Sequence, residues 1–305
     1  MRASAARISG VSKSFGGHLA VDRLSLDVPA GGIYGLIGPN GSGKTTTLRM
    51  VMNLILPDQG HIEVLGMRGA EAARDRVTYL PEERGLYKRM TVRQLLRYYG
   101  VLKGAPLGQL DLTLPRWLDR LGLLSWAESR VESLSKGMQQ KVQFLAALVS
   151  EPDLIILDEP FSGLDPAGVR DMKAILLDLR TQGRTIIFST HLMASAEELC
   201  DRIGMVFKGR LVLDGSLSQI RRANPRRSVR IRAGLGLKAV QALPGVVSAR
   251  KDQDSLCLAL AGDPQAFLRS LLRKTRVLSF EVERATLNDI FLAHLQVGEL
   301  SHASR

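Results

Sequence analysis

Cysteine is scarce in this sequence. Cys200 and Cys257 are the only two, they stand far apart, and neither sits in a C-x-x-C or histidine-paired spacing. That excludes a disulfide framework and a thiolate zinc site. The pair reads as buried, reduced thiols, as expected of a cytosolic protein. Long apolar runs are missing too. No stretch of eighteen apolar residues occurs, so no segment is expected to span a bilayer. Residues 1–14 are charged and lack an apolar core of signal-peptide length. What remains is a chain of 305 residues, 45% hydrophobic, enough for about two domains with real cores.

The charge is uneven. Residues 1–220 hold 27 Lys/Arg and 23 Asp/Glu, a net of +4, whereas residues 221–305 hold 15 and 7, a net of +8. Anionic lipid head groups, nucleic acid or an acidic partner can each exploit such a surface, and so can solvent alone.

The most informative stretch is 33–47. Ile33 to Ile37 is apolar and reads as a buried strand. Gly38-Pro39-Asn40-Gly41-Ser42-Gly43-Lys44-Thr45 then fits G-x-x-x-x-G-K-[ST], and Thr45 to Asn53 can continue as a helix. The glycines let backbone N–H groups turn inward on an anion, and the helix start adds partial positive charge. Lys44 can reach the β- and γ-phosphates, and Thr45 can offer a hydroxyl to Mg²⁺. The sequence therefore binds a nucleoside triphosphate.

Around this loop, Arg7–Val11 and Leu24–Val28 alternate like strands, with Phe15 on a glycine-flanked loop between them. An aromatic there can stack on a purine base or anchor the loop. Further strands are expected at 60–66 and Val77–Leu80, the latter ending in the charged loop Pro81-Glu82-Glu83. His61 reads as a strand-face residue without a chemical role. From about 91 to 130 the apolar spacing turns helical, with helices at Thr91–Gly100 and Leu114–Leu124 and a linker at Gly104–Gly108.

Leu134-Ser135-Lys136-Gly137 opens a helix from about Met138 to Val149, which makes its start a second anion site. The buried strand Leu154–Leu157 ends in Asp158-Glu159. Alternation along a strand gives these two carboxylates different directions, one for a magnesium ion and one for an attacking water. Ser162-Gly163-Leu164-Asp165 leads into a helix at Ala167–Gln182. The buried strand from Arg184 carries His191 at its end. In open α/β sheets ligands bind beyond the carboxyl ends of strands. The phosphate loop, the carboxylates and His191 all occupy such ends.

Five motifs in this order and spacing resemble the nucleotide-binding subunit of ABC (ATP-binding cassette) transporters over about residues 5–218. The resemblance implies a fold: a P-loop NTPase core of the α/β class, with a mixed sheet, helices on both faces, an antiparallel β subdomain and a helical subdomain at about 86–150. It also implies roles. Phe15 stacks on adenine. Pro39, Asn40, Gly41, Ser42, Gly43, Lys44, Thr45 and Thr46 hold the phosphates of ATP. Thr45, Asp158 and Glu82 serve Mg²⁺, Glu159 is the general base and His191 meets the γ-phosphate. Ser135, Lys136, Gly137 and Gln139 act on ATP held by a second subunit, and Asp165 lies at that interface. Such a subunit works in a head-to-tail dimer, with itself or a paralogue, beneath transmembrane permease subunits at the inner face of the cell membrane.

Three positions, in two motifs, depart from the family pattern. Lys136 and Met138 replace the signature's second glycine and its glutamine, and Glu82 replaces the glutamine of the loop after Leu80. The alternative of a soluble ABC ATPase acting on nucleic acid or ribosomes calls for two cassettes or a coiled-coil insertion, and the sequence shows neither.

A basic linker is expected at 219–228, carrying Arg221, Arg222, Arg226 and Arg227. After it, strands at Val229–Arg232, Val246–Lys251, Leu256–Leu260 and Val277–Glu283 alternate with helices at Leu237–Leu243 and Pro264–Lys274. This β-α-β-β-α-β order predicts a small α+β ferredoxin-like domain at 229–305, closed by a helix at Leu287–Gln296. Similar tails follow the ATPase in the exporter branch of the family. The tail carries no catalytic constellation, and its expected role is regulatory, dimer-supporting or stabilising.

Overall fold

The computed structural model describes residues 3–68, 73, 75–83, 85–223, 227–283 and 286–291. The chain forms two compact units, Met1–Leu217 and Ser218–Arg305.

In the first unit, β1 (Ser4–Phe15) and β2 (His18–Pro29) pair antiparallel about the Gly16-Gly17 turn. Both are longer than the apolar alternation suggests. Register shifts in the β1–β2 ladder interrupt the period of two, yet Ala6, Ile8, Val11, Val21, Leu24, Leu26 and Val28 all stay buried. Phe15 is thereby the last residue of β1 rather than part of a free loop. β4 (Gln59–Val64) and β5 (Met67–Arg68) complete this antiparallel sheet in the order β2-β1-β4-β5. His61 lies exposed on β4 opposite Ser9.

The central sheet has the order β10-β9-β3-β8-β7-β6. Its strands are β3 (Ile33–Ile37), β6 (Val77–Leu80), β7 (Leu154–Asp158), β8 (Thr185–Thr190), β9 (Arg202–Phe207) and β10 (Arg210–Ser216). All neighbours are parallel except β9 and β10. Every residue of β3, β7 and β8 is buried, which is why these strands are rich in apolar residues. β9, β10 and α6 (Met193–Leu199) have no counterpart in the sequence expectations.

α1 (Lys44–Val51), α4 (Lys136–Leu148) and α5 (Pro166–Thr181) contact the strands of the central sheet. α2 (Val92–Leu102) starts at a full capping box, Thr91 with Gln94. α3 (Leu107–Arg120) differs from the expected helix. It begins directly after Pro106, takes in Gly108, and carries Pro115 in its interior. Pro115 resembles a first-turn proline and so draws the sequence-based start too late. Gly122, at φ 66°, ends the helical block before Leu124.

In the second unit, α7 (Leu217–Ala223) occupies much of the stretch expected to be a linker, and β11 already starts at Arg227 (Arg227–Ala233). With α8 (Leu237–Gln241), β12 (Val246–Asp252), β13 (Ser255–Leu260), α9 (Pro264–Leu272) and β14 (Val277–Glu283), the order is β-α-β-β-α-β. The sheet runs β12-β13-β11-β14, antiparallel throughout, which is the split β-α-β arrangement of ferredoxin-like domains. Val229, Ile231, Val240, Leu256, Leu258, Leu260, Phe267 and Leu271 form its core. Residues 287–291 are helical, and the remainder of the expected closing helix lies outside the described residues. No helix among the described residues is long and apolar enough to cross a membrane.

Candidate active site

The loop after β3 is held by backbone that only glycine can supply. Gly43, at φ 104°, forms the N-cap of α1, and a Cβ there would lie 2.5 Å from the Ala20 carbonyl oxygen. A Cβ on Gly38 would fall 2.2 Å from the Val206 carbonyl oxygen. Lys44 is 5% exposed. Its ammonium donates to the carbonyls of Gly38 (2.9 Å) and Pro39 (3.1 Å) and lies 3.9 Å from Glu159. Burial pulls its pKa below the ordinary lysine value, and Glu159, Asp158 and Glu82 pull it back up.

Asp158, fully buried at the end of β7, gathers three hydroxyls. Thr45 Oγ1 (3.1 Å) and Ser189 Oγ donate to Oδ1, and Tyr79 Oη donates to Oδ2 at 3.3 Å. Burial and the Asp158 charge push the Tyr79 phenol up to about 12, against the pull of Arg49. Glu159 stands in the left-handed region at φ 47°, a conformation that costs a non-glycine residue about 1–2 kcal/mol. It is this turn, rather than strand alternation, that separates the two carboxylates. The Glu159 amide donates to Ser189 Oγ at 3.1 Å, and its Oε1 lies 2.9 Å from Nδ1 of exposed His191. β3, β8 and β7 are adjacent parallel strands, so the segments after all three open on the same edge.

A cleft of about 470 Å³ opens there. Of the residues singled out in the sequence, Asn40, Gly41, Gly43, Lys44, Thr45, Thr46, Glu82 and Glu159 line it. Asp158 and His191 join it through Thr45 and Glu159. Pro39 contributes its carbonyl to Lys44, and Ser42 is buried within the loop. Phe15 does not line the cleft. It is 48% exposed at the tip of the β1–β2 hairpin, with the Lys13 ammonium 5.6 Å from its ring centre. His18 and Ala20, on the other arm of that hairpin, take the lining position instead.

The Ser135 segment is outside this cleft. Ser135 caps α4 by accepting from the Met138 amide at 3.2 Å, and Lys136 is exposed. Gly137 faces the Gly163 carbonyl, 3.6 Å from where its Cβ would be. Gln139 turns inward and donates to the carbonyls of Val131 (3.2 Å) and Leu134 (3.1 Å), fixing the turn before α4. Asp165 caps α5, accepting from the Gly168 amide at 3.2 Å.

Sequence reasoning missed His18, Tyr79, Ser189, Gln140 and Gln143. The two glutamines left a trace, since both are polar residues on the buried face of α4. The donor set also bears on a cation. A buried carboxylate beside a threonine hydroxyl is a hard-oxygen pair, and no group of three His, Cys, Asp or Glu suited to a metal occurs among the described residues. That fits Mg²⁺, which is held by one or two carboxylates and completed by substrate phosphates.

The pattern of the ABC transporter family matches residues 21–162, and that of the C-terminal domain of DrrA1-3-like ATP-binding proteins matches residues 215–295. YhaQ of Bacillus subtilis, an uncharacterised ABC transporter ATP-binding protein, is 39% identical over 287 residues, 93% of this chain and 96% of that one. The Nod factor export ATP-binding protein I of Paraburkholderia xenovorans is 39% identical over 223 residues, 72% of this chain and 73% of its own. A solved ATP-binding subunit of an ABC transporter superposes with a TM-score of 0.69 at 32% identity, over 73% of this chain and 94% of that one. CbiO1 of Clostridium perfringens, at 24% identity and a TM-score of 0.63, over 73% of this chain and 95% of its own, shares the fold. A relative that is 39% identical over nearly the whole of both chains, together with a glycine-held loop and a carboxylate pair on neighbouring strand ends, places this chain among the ATP-binding proteins of ABC transporters.

Proposed function

We propose that the chain hydrolyses Mg-ATP as one half of a head-to-tail pair and so drives export through membrane-spanning subunits on other chains. One observation carries this reading: a single copy presents Lys44, Thr45, Glu82 and Glu159 to its own cleft but not Ser135, Lys136 or Gly137. The Ser135 end of α4 is free to serve a cleft on another copy, or on a paralogue, and the N-terminus of a helix suits an anion.

In this mechanism Lys44 gives up the Gly38 and Pro39 carbonyls for the β- and γ-phosphates. Asp158 and Thr45, with Glu82 of the cleft lining, would hold Mg²⁺, which neutralises charge on the phosphate oxygens when bound. Glu159 Oε1 orients a water and accepts its proton. The water oxygen bonds to the γ-phosphorus as the bond to the β–γ bridging oxygen breaks. His191 holds Glu159 from Nδ1 and reaches the γ-phosphate with its other edge. Loss of the γ-phosphate removes what the two copies grip in common, and they part.

Export is favoured by the Nod factor export relatives and by the DrrA1-3-like second unit. The basic second unit suits the anionic inner face of a cell membrane.

The test is release of phosphate from Mg-ATP by the full chain. Glu159→Gln should lower kcat at least about 100-fold while ATP still binds. Hydrolysis at the wild-type rate in that variant would remove Glu159 from the mechanism.

A further inference from the structure

α4 carries two buried glutamines three residues apart, and therefore on one face of the helix. Both donate to backbone carbonyls. Gln140 Nε2 donates to the Pro160 carbonyl at 3.1 Å, and Pro160 follows Glu159 directly. Gln143, 6% exposed, donates from Nε2 to the carbonyls of Pro81 (3.2 Å) and Glu83 (3.3 Å). Those two carbonyls bracket Glu82, one of the two acids that line the triphosphate cleft. The Gln143 oxygen has no partner among the described residues, so the side chain is committed to the loop through its donor end alone. Two turns before Gln143, the same helix begins at Ser135, Lys136 and Gly137.

We propose that Gln143 is a positioning residue for Glu82: it fastens the loop after β6 to α4 and so sets where the Glu82 carboxylate stands in the triphosphate cleft. This rests on the ATPase reading above. The geometry supplies both parts of the device. A primary amide can donate to two carbonyls at once, which clamps the backbone on either side of Glu82 instead of its side chain. Glu82 itself stays exposed and free to meet a ligand. Gln140 extends the tie to the segment after Glu159, so one rigid helix addresses both acids that line the cleft.

Two variants of the full chain test this. Gln143→Met keeps the length and removes the donors. Gln143→Asn keeps the amide but is one methylene short. Each should leave the dissociation constant for ATP within about twofold and lower kcat about tenfold, the scale expected when a group at a reacting centre is misplaced by an ångström or less. In a Glu82→Ala background the same substitutions should cause no further loss, because there is no longer a carboxylate to place. A purely structural role would reduce activity equally in both backgrounds, and that result would overturn the proposal. Should Gln143→Met not fold, Gln143→Asn decides alone.

A second readout does not depend on turnover. Amide hydrogen exchange at Glu82, Glu83 and Gly85 should quicken at least about tenfold in the variant while β6 stays protected. Unchanged exchange there would mean that Gln143 does not hold the loop. A wild-type chain that hydrolyses no ATP would defeat the functional reading and leave this measurement standing.

Discussion

At the scale of single residues, the site is a set of groups whose charges are already balanced against one another. Lys44 satisfies its donors on the loop's own carbonyls, and Asp158 collects three hydroxyls. Tyr79 shows how such balancing becomes measurable. Its phenol is pushed up to about 12 by burial and by Asp158, above the ordinary value near 10. A tyrosine whose native pKa is raised adds stability that is complete below pH 10 and is lost as pH rises from 10 towards 12. Tyr79→Phe should therefore lose less stability than the wild type across that interval, as followed by urea unfolding at stepped pH. Parallel losses in the two proteins would show that Tyr79 is not the group titrating. Tyr79 also marks the limit of sequence reading at this scale. Lys44, Thr45, Asp158 and Glu159 stand out because their chemistry is written in local spacing. Tyr79 and Ser189 acquire their partner Asp158 only when β6, β7 and β8 meet, and nothing within a few residues of either announces it.

At the scale of elements, β3, β7 and β8 were legible because burial on both faces leaves them rich in apolar residues. β1 and β2 were read too short because register shifts break their alternation. β9 and β10 were missed, and in β10 buried and exposed residues are so mixed that no run appears. α2 was legible from its apolar spacing, whereas α3 was started too late, at Leu114, because Pro115 resembles a first-turn proline. The two helices meet where Gly100 lets α3 approach so closely that a Cβ would sit 2.6 Å from Leu110 Cδ1. Both residues are buried. Gly100→Ala should accordingly destabilise the chain by about 1–3 kcal/mol, the usual cost of overpacking, in spite of alanine's better helix propensity. Chemical denaturation measures the difference. A variant more stable than the wild type would mean that α2 and α3 are less tightly apposed than described.

At the scale of the whole molecule, two units with separate cores share one chain, and the second is the more basic. Its split β-α-β order was legible because each element is short, regular and bounded by turn residues. The first unit carries a complete phosphate cradle and carboxylate pair, yet its Ser135 segment lies outside that cleft. The proposed catalytic cycle therefore calls on a second copy or a paralogue. The most direct test is the mass in solution of purified Glu159→Gln chain, by light scattering on a sizing column, with Mg-ATP saturating. A dimer that forms with ATP and is lost with ADP is the predicted result; a monomer under both conditions would contradict the account.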